Sequence, residues 1–165
     1  MRGETTFRRA RQEDLPAIVR MLADDTLGSR REKATDPLPA SYVDAFAAID
    51  ADPRMELVVG ERQGTVVGTL QLMFLPHLSE QGGLRAQIES VRVHSSVRRL
   101  GIGEAMMRWA IDRAAERGCV VVQLTTNRTR AEAQRFYQRL GFVDSHVGMK
   151  YPLVTPSRLD SAGRS

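Results

Sequence analysis

A basic, glycine-bearing stretch, Arg98-Arg99-Leu100-Gly101-Ile102-Gly103, is the part of this 165-residue chain best suited to hold an anion. Glycine lets the backbone approach a ligand closely and enter turns that a Cβ forbids. Directly after it, Ile102, Ala105, Met106, Trp109 and Ala110 recur at helical spacing, so a helix begins at the turn. The first amides of a helix, here from Ile102, Gly103 and Glu104, have no intrahelical acceptor and lie at the positive end of its dipole. Two arginines add formal charge, and the whole suits a phosphate or pyrophosphate. Upstream, Glu89 stands in an otherwise apolar run. A carboxylate in such surroundings is the kind of group that serves as a general base. An ion pair with Arg85 or Arg92 is the structural alternative.

These residues need a strand, a turn and a helix to position them. Ile88, Val91 and Val93 form a β-branched run broken at Ser95-Ser96, so Ile88 to Trp109 reads as strand, basic turn and helix. Strict alternation places Glu89, Val91 and Val93 on one face and Ser90, Arg92 and His94 on the other, unless a bulge intervenes. Before this unit, Phe7–Ala10 reads as a strand, and Leu15, Ile18, Val19 and Leu22 as a helix with Pro16 in its first turn. Residues 25–38 are charged and without period, which fits a connector or a functional loop. Pro39–Ala51 reads as a second helix, with Tyr42, Phe46 and Ile49 on one face, stopped at Asp52-Pro53. Leu57–Glu61 and Thr65–Leu75 read as antiparallel strands joined at Arg62-Gln63-Gly64, and Gly68 predicts a bulge or close packing. His77–Leu84 is expected to be a loop.

After the central helix, Gly118 provides a stop. Cys119–Thr125 is a nearly continuous apolar run of the kind buried in a sheet interior. Ala133, Phe136, Tyr137 and Leu140 define an amphipathic helix with an arginine-rich outer face, closed by Gly141. Phe142–Val143 and Val147–Leu153, around Asp144-Ser145-His146, are expected to be the last two strands. Residues 154–165 read as a polar, disordered tail beyond a single domain, 1–153.

Composition narrows the function. The net charge of +4 and pI near 9.8 describe a mildly basic surface, part of which suits a polyanionic ligand. Aromatic content of 5% and the lack of any Lys/Arg block longer than two argue against a nucleic-acid partner. No run approaches the ~20 apolar residues of a membrane span. The N-terminus lacks a signal-peptide core. A single cysteine, Cys119, excludes an intrachain disulfide and fits a reducing compartment. It reads as a small buried hydrophobe rather than a nucleophile. His77 stands without a ligand cluster, so no metal is expected, and His146 is either a turn residue or a pocket residue.

The phrase R-R-L-G-I-G after a strand ending V-R-V resembles the R/Q-x-x-G-x-G/A motif of the GNAT N-acetyltransferases. The pattern A-x-x-F-Y-x-x-x-G-F, from Ala133 to Phe142, is similar to that family's late motif. The order of elements from about residue 6 to 153 matches as well. The longer run T-N-R-T-R-A-E-A-Q-R-F-Y…G-F…S-H-V-G-M-K looks like a branch that includes the aminoalkylphosphonate N-acetyltransferases. The resemblance implies an α+β GNAT fold. In it, a mixed, mostly antiparallel sheet of six to seven strands is flanked by about four helices and splayed at the acetyl-CoA site.

The resemblance also implies acetyl-CoA as cosubstrate and a small-molecule amine as acceptor in the cytoplasm, with homodimers frequent in the family. Peptide amine acetylation and a non-catalytic acyl-CoA-binding module are the alternatives. It assigns main-chain contacts with the pantetheine arm to Val91, Arg92 and Val93. It puts Arg98, Arg99, Leu100, Gly101, Ile102, Gly103 and Glu104 around the pyrophosphate. Tyr137 becomes the acid for the departing thiolate, with core packing beside Phe136 as its other role, and Glu89 resembles the glutamate of an I-E-D phrase. Two departures stand out. Arg99 replaces a glycine common in the family. The family's asparagine seven residues before the tyrosine is replaced by Arg130, with Asn127 three residues earlier; Asn127 is a candidate pantetheine contact and Arg130 a candidate phosphate contact. Residues 25–38 would form a wall of the acceptor pocket.

Overall fold

The computed structural model describes residues 4–24 and 28–153, in two compact units divided after Thr125. The first unit contains β1 (Thr6–Arg9), α1 (Leu15–Ala23), α2 (Ala40–Ala51), β2 (Met55–Arg62), β3 (Thr65–Pro76), a single distorted turn α3 (Ser79–Gly82), β4 (Leu84–Val93), α4 (Ile102–Glu116) and β5 (Cys119–Leu124). The strands form one mixed sheet in the order β1-β2-β3-β4-β5. β1 to β4 pair antiparallel, and β5 returns parallel to β4 through α4. The β2–β3 turn has both central residues in the left-handed region, Gln63 at φ 51° and Gly64 at φ 75°. That geometry matches the twist of the strands it joins.

Alternation sorts the side chains to two faces. Leu70, Leu72 and Phe74 of β3, with Val58, Ala86 and Ile88 beside them, are fully buried and face α4, which contributes Met106, Met107, Ala110 and Ala114. Gly68 serves both purposes expected of it. A Cβ there would sit 3.3 Å from Met106 Sδ and 3.4 Å from the Arg92 carbonyl, so glycine lets α4 lie close. The β2–β3 register also slips here: Gly60 pairs with Gly68 and Glu61 with Val66, leaving Val67 extra. On the opposite face α1 and α2 pack Leu15, Ile18, Leu22, Val43 and Phe46 against Leu57, Val59 and Val66.

One ion pair crosses the α4 face. Glu56 of β2 is 1% exposed and accepts from Arg113 at 2.8 and 3.1 Å. The hydrogen bond to Glu56 holds the Arg113 guanidinium above its ordinary range, against the opposing effect of burial. Arg117 stacks over the Phe74 ring at 4.4 Å. Both contacts fasten the end of α4 to the sheet.

Two expectations need correction. The described residues form five strands, and Phe142–Val143 and Val147–Leu153 are not among them. Val147, Met149, Tyr151 and Leu153 do alternate, but they are exposed, and Pro152 lacks a ladder donor. Alternation predicts a strand only where a neighbouring edge takes up its hydrogen bonds. For the same reason β5 is an edge strand rather than an interior one, with Val120 and Val121 exposed. Within residues 28–38, read as a connector or a functional loop, Gly28–Arg30 forms a 3-10 turn, and Tyr42 of α2 tethers the chain at Glu32 and Lys33. The Tyr42 hydroxyl accepts from the Lys33 amide at 3.0 Å and donates to Glu32 at 2.9 Å. The expected tail, 154–165, lies outside the described residues. Among the described residues no helix is long and apolar enough to cross a membrane. In the second unit, α5 (Ala131–Arg139) ends at Gly141, whose φ of 97° suits glycine.

Asp14, at the start of α1, gives the fold a pH dependence. It is 6% exposed and accepts from Arg8 at 2.8 and 3.1 Å and from the Arg11 amide at 2.7 Å. Burial opposes its charge, but these donors outweigh burial and hold the carboxyl below the usual carboxylate range. A depressed folded-state value gives stabilisation that is full above the unfolded value, near ~3.9, and is lost as pH falls through the folded value. Thermal unfolding should therefore show Asp14→Asn less stable than wild type at neutral pH, with the gap narrowing as pH falls below the unfolded carboxylate value near ~3.9.

Candidate active site

β4 is hydrogen-bonded along both edges only over its first half. Its ladder with β5 runs from Leu84–Cys119 to Ile88–Leu124 and stops, while β4 continues to Val93 alongside β3. Among the described residues, no strand pairs with β4 on the β5 side from Glu89 onward. At that point Ser90 adopts φ 56°, and the register with β3 slips: Glu89 faces Gln71 and Arg92 faces Thr69. Residues directly opposite in a sheet share a face, and so do Thr69 and Gln71 two apart. Glu89 and Arg92 therefore lie on the α1 face, and Val93, opposite Gly68, on the α4 face. This overturns strict alternation, and one extra residue is the cause. The carbonyls of Val91 and Val93 accept from Arg92 and Arg98 at 2.9 and 3.3 Å.

After β4, a 3-10 turn at Ser95–Val97 is capped by the His94 side chain, which accepts from the Ser96 amide at 3.3 Å. Arg98 is occupied: its guanidinium pairs with Asp24 at 2.9 Å. Arg99 is exposed and, among the described residues, makes no hydrogen bond or ion pair; its φ is 68°. Gly101 comes next in the turn at φ 80° as the N-cap of α4, without a side-chain cap. The first helical amide to return a bond is that of Ala105, to Gly101 O at 3.0 Å. The amides of Ile102, Gly103 and Glu104 are left to point out of the positive end of the helix. A Cβ on Gly101 would meet nothing within 4 Å, so the space above the turn is open. Leu100 is 55% exposed, and the Glu104 carboxylate pairs back along the helix with Arg108 at 2.8 Å.

Glu89 is half-buried, and among the described residues its hydrogen-bond partner is neither Arg85 nor Arg92 but Gln87, which donates at 2.9 Å. Gln87 in turn accepts from Gln123 at 2.7 Å. Neither glutamine was singled out in the sequence. Their signal was present, because each is a polar residue inside a strand of apolar ones. Cys119, expected to be a small buried hydrophobe, is only half-buried; burial pushes its thiol up, against a smaller opposing effect of Arg117, which is the wrong direction for a nucleophile.

In the second unit the Tyr137 ring packs edge-on against Phe136 and Phe142, with centroids 5.2 and 5.9 Å away. Asn127 builds a turn: its Oδ1 accepts from the Thr129 amide and hydroxyl at 2.9 and 2.8 Å. Arg130 is the N-cap position of α5. His146 bonds the neighbouring Ser145 hydroxyl at 2.8 Å.

The model of the acetyltransferase (GNAT) family matches residues 16–142. This chain belongs to that family. It is 33% identical over 106 residues to an aminoalkylphosphonate N-acetyltransferase of Salmonella typhimurium, covering 64% of this chain and 68% of that protein. It is 28% identical over 131 residues to a glucosamine 6-phosphate N-acetyltransferase of Trypanosoma brucei brucei, covering 75% and 87%. A crystal structure of a protein named a transcriptional regulator, from Bacillus halodurans, is 49% identical with a TM-score of 0.89, over 91% of this chain and 100% of that one. As a GNAT, the chain is an acetyl-CoA-dependent N-acetyltransferase.

At least two cavities lie among the described residues of the first unit. The larger, about 310 Å³, is lined by Arg9, Glu56, Trp109, Asp112, Arg113 and Glu116, and much of its charge is already spent on the Glu56–Arg113 and Arg113–Glu116 pairs. The smaller, about 130 Å³, lies between α1 and the tethered loop, lined by Pro16, Arg20, Ala34, Thr35, Asp36 and Leu38.

The GNAT turn separates two kinds of substitution. Arg99→Gly removes a left-handed backbone cost of ~1–2 kcal/mol, partly offset by the ~0.5–1 kcal/mol of chain entropy that glycine adds. It should leave stability unchanged or higher by up to about 1 kcal/mol, while acetyl-CoA affinity falls about two- to fivefold at low salt. Gly101→Ala should instead lose about 1–2 kcal/mol. Thermal unfolding with calorimetric titration of acetyl-CoA reads both.

Proposed function

We propose that this GNAT acetylates the primary amine of a small, anion-bearing molecule by direct transfer from acetyl-CoA in a ternary complex in the cytoplasm. The observation that carries the reading is the pairing of an open β4 edge with uncapped amides at the start of α4. The residues fit the cosubstrate: the turn is open above Gly101, it ends in unpaired amides, and Arg99 adds an exposed cation. Acetyl-CoA supplies a thioester whose acyl group an amine can take. In this reading the amides of Ile102, Gly103 and Glu104 hold its pyrophosphate, and the β4 backbone from Val91 to Val93 holds its pantetheine arm.

The remaining chemistry concerns protons. An alkylamine with a pKa near ~10.4 is only about one part in 10³ to 10⁴ neutral at pH 7, so a proton acceptor is needed before attack. Glu89 has that role through water, with a neutral glutamine as its hydrogen-bond partner. The Tyr137 hydroxyl gives a proton to the departing thiolate. For the acceptor, we place the anionic group against Arg20 in the cavity beside Thr35 and Asp36, with Arg30, Arg31 and Lys33 adding positive charge to the loop. The two curated relatives are named for amines that carry a phosphonate or a phosphate, which supports the same class.

A second reading, which the relative named a transcriptional regulator favours, is that the acceptor is the amine of a peptide or protein. Thiol release from acetyl-CoA, with 2-aminoethylphosphonate, glucosamine 6-phosphate, neutral alkylamines and lysine peptides as acceptors, decides between them. Turnover on the anionic amines supports the small-molecule reading proposed here, and turnover on the lysine peptides alone supports the second. Tyr137→Phe and Glu89→Gln should each lower kcat about 10²- to 10⁴-fold with little change in melting temperature. Unchanged turnover in either variant removes that residue from the mechanism.

We also propose a homodimer. Val147, Met149, Tyr151 and Leu153 alternate along the sequence and are 73–91% exposed in a single copy. Light scattering should give about twice the chain mass of 18.4 kDa, and Met149→Lys with Tyr151→Lys should return the monomer mass.

A further inference from the structure

The hydrogen bonds at Glu89 run in one direction. Gln123 Nε2 donates to Gln87 Oε1, and Gln87 Nε2 donates to Glu89 Oε1. The sheet imposes the alignment: Gln123 is the register partner of Gln87 across β4 and β5, and Glu89 is the next residue on that face. A glutamine amide can present either end, so its orientation is set by its neighbours. Glu89 as a carboxylate only accepts, so Gln87 must turn its NH₂ toward it. That leaves the Gln87 carbonyl facing β5, where only a donor suits it, and Gln123 supplies one.

We infer that Gln87 and Gln123 are positioning residues for Glu89, fixing one carboxylate oxygen so that the other is the one presented to the acceptor amine. Gln87 occupies Oε1. Oε2 takes the proton that the acceptor ammonium releases through water, and the neutral amine then has its lone pair free for the thioester carbonyl. Without the relay the carboxylate turns freely, and reacting groups out of place by about 1 Å can cost roughly a hundredfold in rate. The inference rests on Glu89 being the proton acceptor.

Gln123→Glu separates this role from a simple cross-strand tie. It keeps the size of the side chain and still bonds Gln87, but the introduced carboxylate can only accept. Gln87 must then turn its NH₂ toward β5 and its carbonyl toward Glu89. Gln123→Met keeps the volume and removes the polar ends. With acetyl-CoA and 2-aminoethylphosphonate or glucosamine 6-phosphate, Gln123→Glu should lower kcat about ten- to a hundredfold, at least as much as Gln123→Met. KM for acetyl-CoA and the melting temperature should stay near wild type. In a Glu89→Gln background the same change should have no further effect, because coupled residues do not add.

Wild-type kcat in Gln123→Glu, with Glu89→Gln impaired, overturns the relay and leaves Glu89 as the base. An undiminished effect of Gln123→Glu in the Glu89→Gln background also overturns it. Wild-type kcat in Glu89→Gln overturns the assignment of the base, and the relay with it. Absence of turnover on both amines by the wild-type protein overturns both.

Discussion

The structure turns on β4 having two hydrogen-bonded edges for half its length and one for the rest. A buried backbone polar group left without a partner is costly, so a strand that loses a neighbour must find another acceptor and donor or open to ligand. β4 does both. Guanidinium groups of Arg92 and Arg98 take the carbonyls of Val91 and Val93, and among the described residues no strand pairs with the rest of that edge beyond Ile88–Leu124. The extra residue at Ser90 comes at the same place and returns the following residues to the opposite sides of the sheet. One local irregularity thus brings Arg92 to the same face as Glu89 and sends Val93 to the other.

An open helix N-terminus is usable only if the helix cannot drift. α4 is held along its length by apolar contact, and closely at Gly68, where the missing Cβ admits Met106. Its far end is held by charge. Glu56 is buried to 1%, and leaving such a carboxylate unpaired costs on the order of 3–5 kcal/mol, so Arg113 is required once Glu56 is there. Arg113 is itself about a third exposed, which keeps the pair's net gain small. Its contribution is to specify where α4 ends, with Arg117 over Phe74 adding a second fixed point. The cationic, glycine-rich end then faces outward by default.

Much of the site was legible because it is local. Arg99 and Gly101 at positive φ result from the turn a helix needs after such a strand, and Ile102 to Ala110 announce the helix by their spacing. Glu89 drew notice as a carboxylate among β-branched residues. What escaped were partners brought in from elsewhere. Gln123 is 34 positions from Glu89 with Gln87 between them in space, and only the β4–β5 register joins them. The place of Arg98 in the turn is local, but its guanidinium's pairing with Asp24, at the end of α1, is 74 positions distant in the chain and shows only in the structure. The final strands were misjudged because alternation describes a side chain's facing, not whether a ladder partner exists.

The sequence by itself determined the main helices and strands between residues 6 and 139 of this GNAT, the glycine turn and the family, since each rests on residue types within one or two turns of chain. Tertiary structure alone decided which edge of β4 is open, which face receives Glu89 and Arg92, and which charges neutralise one another before a ligand arrives. Those depend on register and on distant pairings, where a shift of a single residue exchanges the two faces of a sheet. No local pattern carries that information.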